Sequence, residues 1–148
     1  VPLLILDPAR KFLAGDEEDA NAVSNFFEAI EEFAIKKNTA VVVVHHLQKG
    51  AYPQSAMEVI DLLRGSQVFI DRPRVVIGLY REGPHTVVGL AKNNIPPNFG
   101  MMQEERVFAR DPKKLSLIWL PGVEGVRNAA LSPEELAQLA KEAQKEGR

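Results

Sequence analysis

The 148 residues are 45% hydrophobic and carry 18 Lys and Arg against 20 Asp and Glu, a formal net charge of −2. This is enough apolar material for one cored domain, and it excludes a chain-wide basic field, so any nucleic-acid contact has to come from local loops. Cysteine is absent, which excludes a disulfide framework and a Cys-ligated structural zinc site and suits a reducing, cytoplasmic setting.

Residues 3–6, Leu-Leu-Ile-Leu, form a continuous apolar run of strand length that ends on Asp7-Pro8. An apolar run without alternation predicts a strand of a parallel sheet covered on both faces. Because Val1 opens directly into this strand, we expect the chain to begin inside a larger domain. Residues 15–19 are an acidic loop, and Asp19 is placed to cap the helix that follows. In that helix Val23, Phe26, Phe27, Ile30, Phe33 and Ala34 recur at helical spacing, with Glu28, Glu31 and Glu32 mostly on the other side. Lys36 and Lys37 near its end suit the helix dipole. Residues 40–44, Ala-Val-Val-Val-Val, predict a second buried strand, stopping at His45-His46. Strand, helix and strand at this spacing make a βαβ unit, expected to be parallel.

Residues 47–56 are polar and loop-like, and residues 57–63 predict a short helix leading into Arg64-Gly65-Ser66. Residues 74–80 and 86–91 read as strands joined by a hairpin turn at Glu82-Gly83-Pro84-His85. After a loop over residues 93–100, residues 105–109 and 115–120 predict a second hairpin around Asp111-Pro112-Lys113-Lys114. The tail opens with Ser132-Pro133-Glu134-Glu135, a capping box with Pro at the first helical position. Its helix, with Leu136, Leu139 and Ala140 on one side, is too thin in apolar residues for a core helix and is expected at the surface. The organisation expected is a main domain over residues 1–120 and a linker with a surface helix over 121–148. The longest apolar stretch, residues 39–44, is far short of the roughly 20 residues that span a bilayer, so no membrane partner is expected.

In a parallel sheet the reactive side chains gather at the carboxyl ends of the strands. Two strands here end in reactive types, one in Asp7 and the other in His45-His46. An apolar run closing on a single Asp is the Walker B pattern, in which a rigidly held carboxylate orients the water shell of a nucleotide-bound Mg²⁺. The bland reading of Asp7 is a turn or cap residue. Adjacent strand residues point to opposite faces, so His45 and His46 are not expected to chelate one metal. One is expected to pack against the sheet while the other faces the crevice. A metal-dependent hydrolase built on Asp7 with His45 or His46 is a weaker reading, because no further Asp/His cluster completes a coordination set. Among the cations, Arg72 and Arg81 read as surface ion-pairing residues. Arg74 and Lys92 stand at a strand start and a strand end, where a guanidinium and an ammonium can neutralise a transferring phosphoryl group.

The run Leu3-Leu4-Ile5-Leu6-Asp7-Pro8-Ala9-Arg10-Lys11-Phe12 resembles the Walker B segment of RepA-type hexameric replicative helicases. Val43-Val44-His45-His46-Leu47-Gln48-Lys49-Gly50 resembles their next motif, and the Arg64-Gly65-Ser66 block running to Arg74 resembles the segment that ends in their arginine finger. Ala91-Lys92-Asn93-Asn94 is similar to the late strand end shared with DnaB-type helicases. The four motifs follow in order between residues 3 and 94, and the resemblance covers residues 1 to about 120. The resemblance implies an α/β fold, a partial RecA-like P-loop NTPase core whose parallel sheet is extended by antiparallel hairpins, with a C-terminal helix. It implies ATP and Mg²⁺ as cofactors, with Asp7 positioning the ion through water, His46 sensing the γ-phosphate, and Arg74 acting in trans with support from Lys92. Arg10 and Arg64 join the nucleotide-binding set. Gln48, Lys49 and Gln54 fall on a loop near a central channel for single-stranded DNA, in a homo-oligomeric, possible six-membered ring. No G-x-x-x-x-G-K-[ST] loop occurs in the 148 residues, so the resemblance implies a partner half that carries it, with the chain inactive alone. The alternative is a degenerate, non-enzymatic RecA-like module for oligomerisation or nucleic-acid binding.

Overall fold

A computed structural model describes residues 1–95, 105–110 and 116–119. The expected loop over residues 93–100 lies partly outside the described residues, and the turn at 111–114 and the tail at 121–148 lie wholly outside them. The chain forms two compact units, one from Val1–Ala51 with Asp61–Arg74, the other from Tyr52–Ile60 with Val75–Arg148.

The first unit is the βαβ element read from the sequence. Strands β1 (Leu3–Leu6) and β2 (Ala40–Val43) pair in parallel, in the register Leu3↔Ala40 to Leu6↔Val43. The Val44 amide extends the ladder by donating to the Leu6 carbonyl at 2.9 Å. Helix α1 (Ala20–Lys37) makes the crossover. The Asp19 carboxylate caps it by accepting from the Asn21 amide at 2.9 Å. Asn38 stops it in the left-handed region with φ of 48°, a conformation Asn tolerates better than most residues. Val23, Phe26 and Phe27 of α1 are buried with Ala9, Leu13 and Phe69, and Leu6 and Val43 pack against this core. Phe69 comes from α3 (Val68–Asp71), a one-turn helix absent from the sequence reading. The expected helix over 57–63 is shorter, running over α2 (Glu58–Asp61). Leu47 instead bridges Leu63 in antiparallel fashion.

The expectation that both faces of the parallel strands are covered is not met among the described residues. Leu4, Leu6, Val41 and Val43 are half-buried, while Leu3, Ile5 and Val42 are 59%, 57% and 46% exposed. Their alternation is set by the period of two along each strand, since α1 covers a single face.

The second unit is an antiparallel meander of β3 (Val75–Glu82), β4 (His85–Asn93), β5 (Arg106–Arg110) and β6 (Leu117–Trp119). The α/β class is the one expected, with the hairpins forming a sheet of their own among the described residues. The β3–β4 turn is tighter than the sequence suggested. Glu82 pairs with His85, leaving Gly83-Pro84 as the loop, with Gly83 at φ +57° as primed hairpin turns require at their first central position. Gly78, Tyr80, Val87, Gly89 and Ala91 alternate inward. The segment before α2 packs against the two glycines, where a Cβ on Gly89 would stand 2.7 Å from the Ala56 Cβ. The Glu105 carboxylate accepts from the Ala56 amide at 2.7 Å and from the Tyr80 hydroxyl at 3.0 Å.

The face of β1 and β2 that carries Leu3, Ile5 and Val42, open among the described residues, predicts concentration-dependent self-association of the chain, because exposed apolar surface is rarely left uncovered. Light scattering across a concentration series should show apparent mass rising, and Ile5→Lys should reduce the rise. A constant monomer mass at high concentration would contradict it.

Candidate functional site at the carboxyl edge of the parallel strands

Parallel pairing brings the ends of β1 and β2 to one edge, and the residues that follow them are Asp7 and, after Val44, His45 and His46. The chain turns sharply after Asp7, with the Asp7-Pro8 peptide cis. The Ala9 amide then donates to the Val44 carbonyl at 2.7 Å, closing the turn onto the end of β2. Asp7 itself is exposed.

The two histidines lie past the end of β2 and differ in burial. His45 is half-buried and its ring stacks on Phe69, with centroids 4.0 Å apart and planes 21° off parallel. Its Nε2 lies 2.6 Å from the Arg64 carbonyl oxygen. A carbonyl only accepts, so Nε2 carries the proton. Nδ1 is buried and has no hydrogen-bond partner among the described residues. His46 is exposed, and its carbonyl accepts from the Arg64 amide at 3.3 Å. Backbone and ring together therefore attach Arg64 to the end of β2.

Arg64 is held a third time. Its Nε pairs with the carboxylate of Glu17, whose side chain is 6% exposed while that of Arg64 is 62% exposed. The Glu17 carbonyl also accepts from the Ser66 amide at 2.7 Å. Gly65 lies between these bonds at φ +87°, and a Cβ there would stand 2.5 Å from the Glu17 carbonyl oxygen. Both the backbone angle and the close approach demand glycine, which gives the Arg-Gly-Ser block its physical reason. Arg10 is tied to the same acidic loop, donating from Nη1 to the Gly15 carbonyl at 2.9 Å.

The other candidates are placed as follows. Arg74 is exposed and makes no ion pair or hydrogen bond among the described residues. Arg72 pairs with Glu31 at 3.3 Å and Glu28 at 3.8 Å on α1, the surface pairing expected for it. Lys92 is half-buried near the end of β4 in the second unit. Lys49 is exposed. The Gln48 side chain donates to the Leu63 carbonyl at 3.4 Å and its amide to Leu62 at 2.9 Å, so Gln48 braces the loop. Gln54 is exposed, its amide bonded to the Glu58 carboxylate at 2.9 Å. Sequence reading missed Glu17. Its only signal was an acidic residue in a loop, which ordinarily means solvent.

The donor chemistry suits a divalent ion carried in by a nucleotide. One strand-end carboxylate is available at this edge, and no group of three or more His, Cys, Asp or Glu side chains able to hold a metal is found among the described residues. Mg²⁺ is typically bound by one or two carboxylates together with waters and phosphates. Among the described residues no helix is long and apolar enough to cross a membrane.

Residues 1–52 match the family model described as an AAA domain. The matched segment is that containing β1, α1, β2 and both histidines, and it points to an ATPase-type domain with nucleotide and Mg²⁺ use in general. No curated protein matches the chain.

Gly65→Ala is expected to destabilise the fold by about 2 kcal/mol, because it adds strain at a positive φ to a clash with backbone. Thermal or urea unfolding of the variant checks this, and unchanged stability would show that the loop yields at little cost.

Proposed function

We propose that this chain is the Walker B-containing part of an ATP-dependent DNA motor of the RepA/DnaB-like type, coupling ATP hydrolysis to movement along nucleic acid. The observation that carries this reading is the position of Asp7 and His46 just past the paired ends of two parallel strands, inside the segment that matches an AAA domain. In this reading Asp7 would hold a nucleotide-bound Mg²⁺ through its water shell, and the ion would supply charge neutralisation at the phosphates. His46 faces the γ-phosphate. Water attacks the terminal phosphorus as the bond to the ADP oxygen breaks, giving ADP and phosphate. Arg74, exposed and uncommitted among the described residues, reaches the nucleotide of a neighbouring copy, and Lys92 supports it from the same subunit. Lys49 lies on the loop that follows the backbone of single-stranded DNA, and Gln48 and Gln54 shape that loop.

The phosphate cradle comes from a partner half, since the 148 residues hold no G-x-x-x-x-G-K-[ST] motif. That same observation favours a second reading, a module that assembles or binds nucleic acid without catalysis. The motor reading places the work in the cytoplasm, in a ring of copies.

Mixing distinguishes the two. In the native protein Arg74→Ala and Asp7→Asn should each nearly abolish ATP turnover, since an arginine finger is worth roughly 10³ to 10⁵ in rate. Mixed assemblies of the two variants should regain activity, because some interfaces join an intact Asp7 to an intact Arg74. A dead mixture in which mixed assemblies form would rule out action in trans, and native protein without turnover would favour the non-catalytic module.

A further inference from the structure

We infer that Glu17 is a positioning residue that fixes Arg64 as a phosphate-recognising arm at the carboxyl edge. The inference rests on the nucleotide-site reading above and adds to it the part that aims the arginine.

A carboxylate buried as deeply as that of Glu17, 6% exposed, is unusual in a loop and demands a partner. Its partner is the Nε of Arg64, while the Arg64 side chain stays 62% exposed. One edge of the planar guanidinium is thus spent on Glu17. The five N–H groups of a guanidinium have fixed directions, so orienting Nε orients the terminal nitrogens as well. The backbone of the same residue is pinned on both sides, its amide to the His46 carbonyl at 3.3 Å and its carbonyl to His45 Nε2 at 2.6 Å. An arginine so restrained serves a pair of phosphate oxygens better than a free one, because little rotamer entropy is lost on binding. Its attachment to His46 puts it beside the residue assigned to the γ-phosphate.

Two arrangements are possible for such a pair: a fixed arm, or a switch in which phosphate draws Arg64 away from Glu17. Withdrawal would strand a buried, unpaired carboxylate, which is strongly unfavourable. The fixed arm is therefore the arrangement the burial supports, with Glu17 acting by geometry and only through Arg64.

The test is calorimetric binding of MgATP and MgADP to the native protein and its variants. Arg64→Lys keeps the charge and loses the fork, and should cut the preference for ATP over ADP about tenfold. Glu17→Ala should do the same. Glu17→Gln, which keeps an oxygen to accept from Nε, should hold the preference within about threefold of native. The double variant Glu17→Ala, Arg64→Lys should be no worse than Arg64→Lys alone, as expected for residues acting in series. Equal losses for Glu17→Gln and Glu17→Ala would make the effect one of charge and overturn the positioning role. A lower melting temperature with native ATP preference would make Glu17 a structural brace only, and additive losses would separate it from Arg64. If Glu17→Ala does not fold, Glu17→Asp draws the carboxylate back by one methylene. A shifted Arg64 Nε–H resonance with reduced ATP preference then supports the inference, and a shifted resonance with native preference overturns it. Native protein that binds neither nucleotide would overturn the site reading itself, a result distinct from binding that ignores Glu17.

Discussion

Everything proposed for this chain depends on two four-residue strands running in the same direction. Antiparallel strands joined by a tight turn would put Asp7 and the histidines at opposite ends of the pair. Parallel pairing forbids a tight turn and requires a crossover, and the eighteen residues of α1 supply it. The register from Leu3↔Ala40 to Leu6↔Val43 then fixes how far apart Asp7 and His46 begin. A slip of either strand by one residue would turn its apolar side chains over and remove Leu6 or Val43 from the core with Val23 and Phe27.

The edge is made rigid from beneath and from the side by different means. Beneath it, Phe26, Phe27, Phe69 and His45 form a chain of ring contacts, edge-on at 5.5 Å and 5.8 Å and then stacked at 4.0 Å. The last ring of the apolar core, Phe69, thus stacks on the first polar ring beyond the end of β2. From the side, Glu17 holds Arg64 by its carboxylate and Ser66 by its carbonyl. Gly65 permits both at once.

The parts of this arrangement legible in the sequence were those written in local periodicity. The apolar runs 3–6 and 40–44, the helical spacing from Val23 to Ala34 and the cap at Asp19 all follow from short-range rules, and the βαβ unit follows from them. The unequal burial of His45 and His46 agrees with the alternation expected of them. Burial of Glu17 was not legible, because its partner Arg64 lies far along the chain and residues 15–19 around it read as a polar loop. The one-turn helix α3 escaped for a different reason, four residues being too few to show a period. The expectation of two covered faces failed at Leu3, Ile5 and Val42, since apolar character in a strand states a preference for cover without naming what provides it.

The two compact units are not consecutive in the chain. Residues 1–51 and 61–74 build one, and residues 52–60 and 75 onward build the other. The backbone therefore passes between them after residues 51, 60 and 74. Neither unit can be lifted out or exchanged as an uninterrupted cassette, by genetic recombination or by the designer of a chimera. A protease nick at any one passage leaves two covalent links in place. The residues assigned to this edge thus travel through evolution together with the short segment 52–60, whatever that segment comes to do.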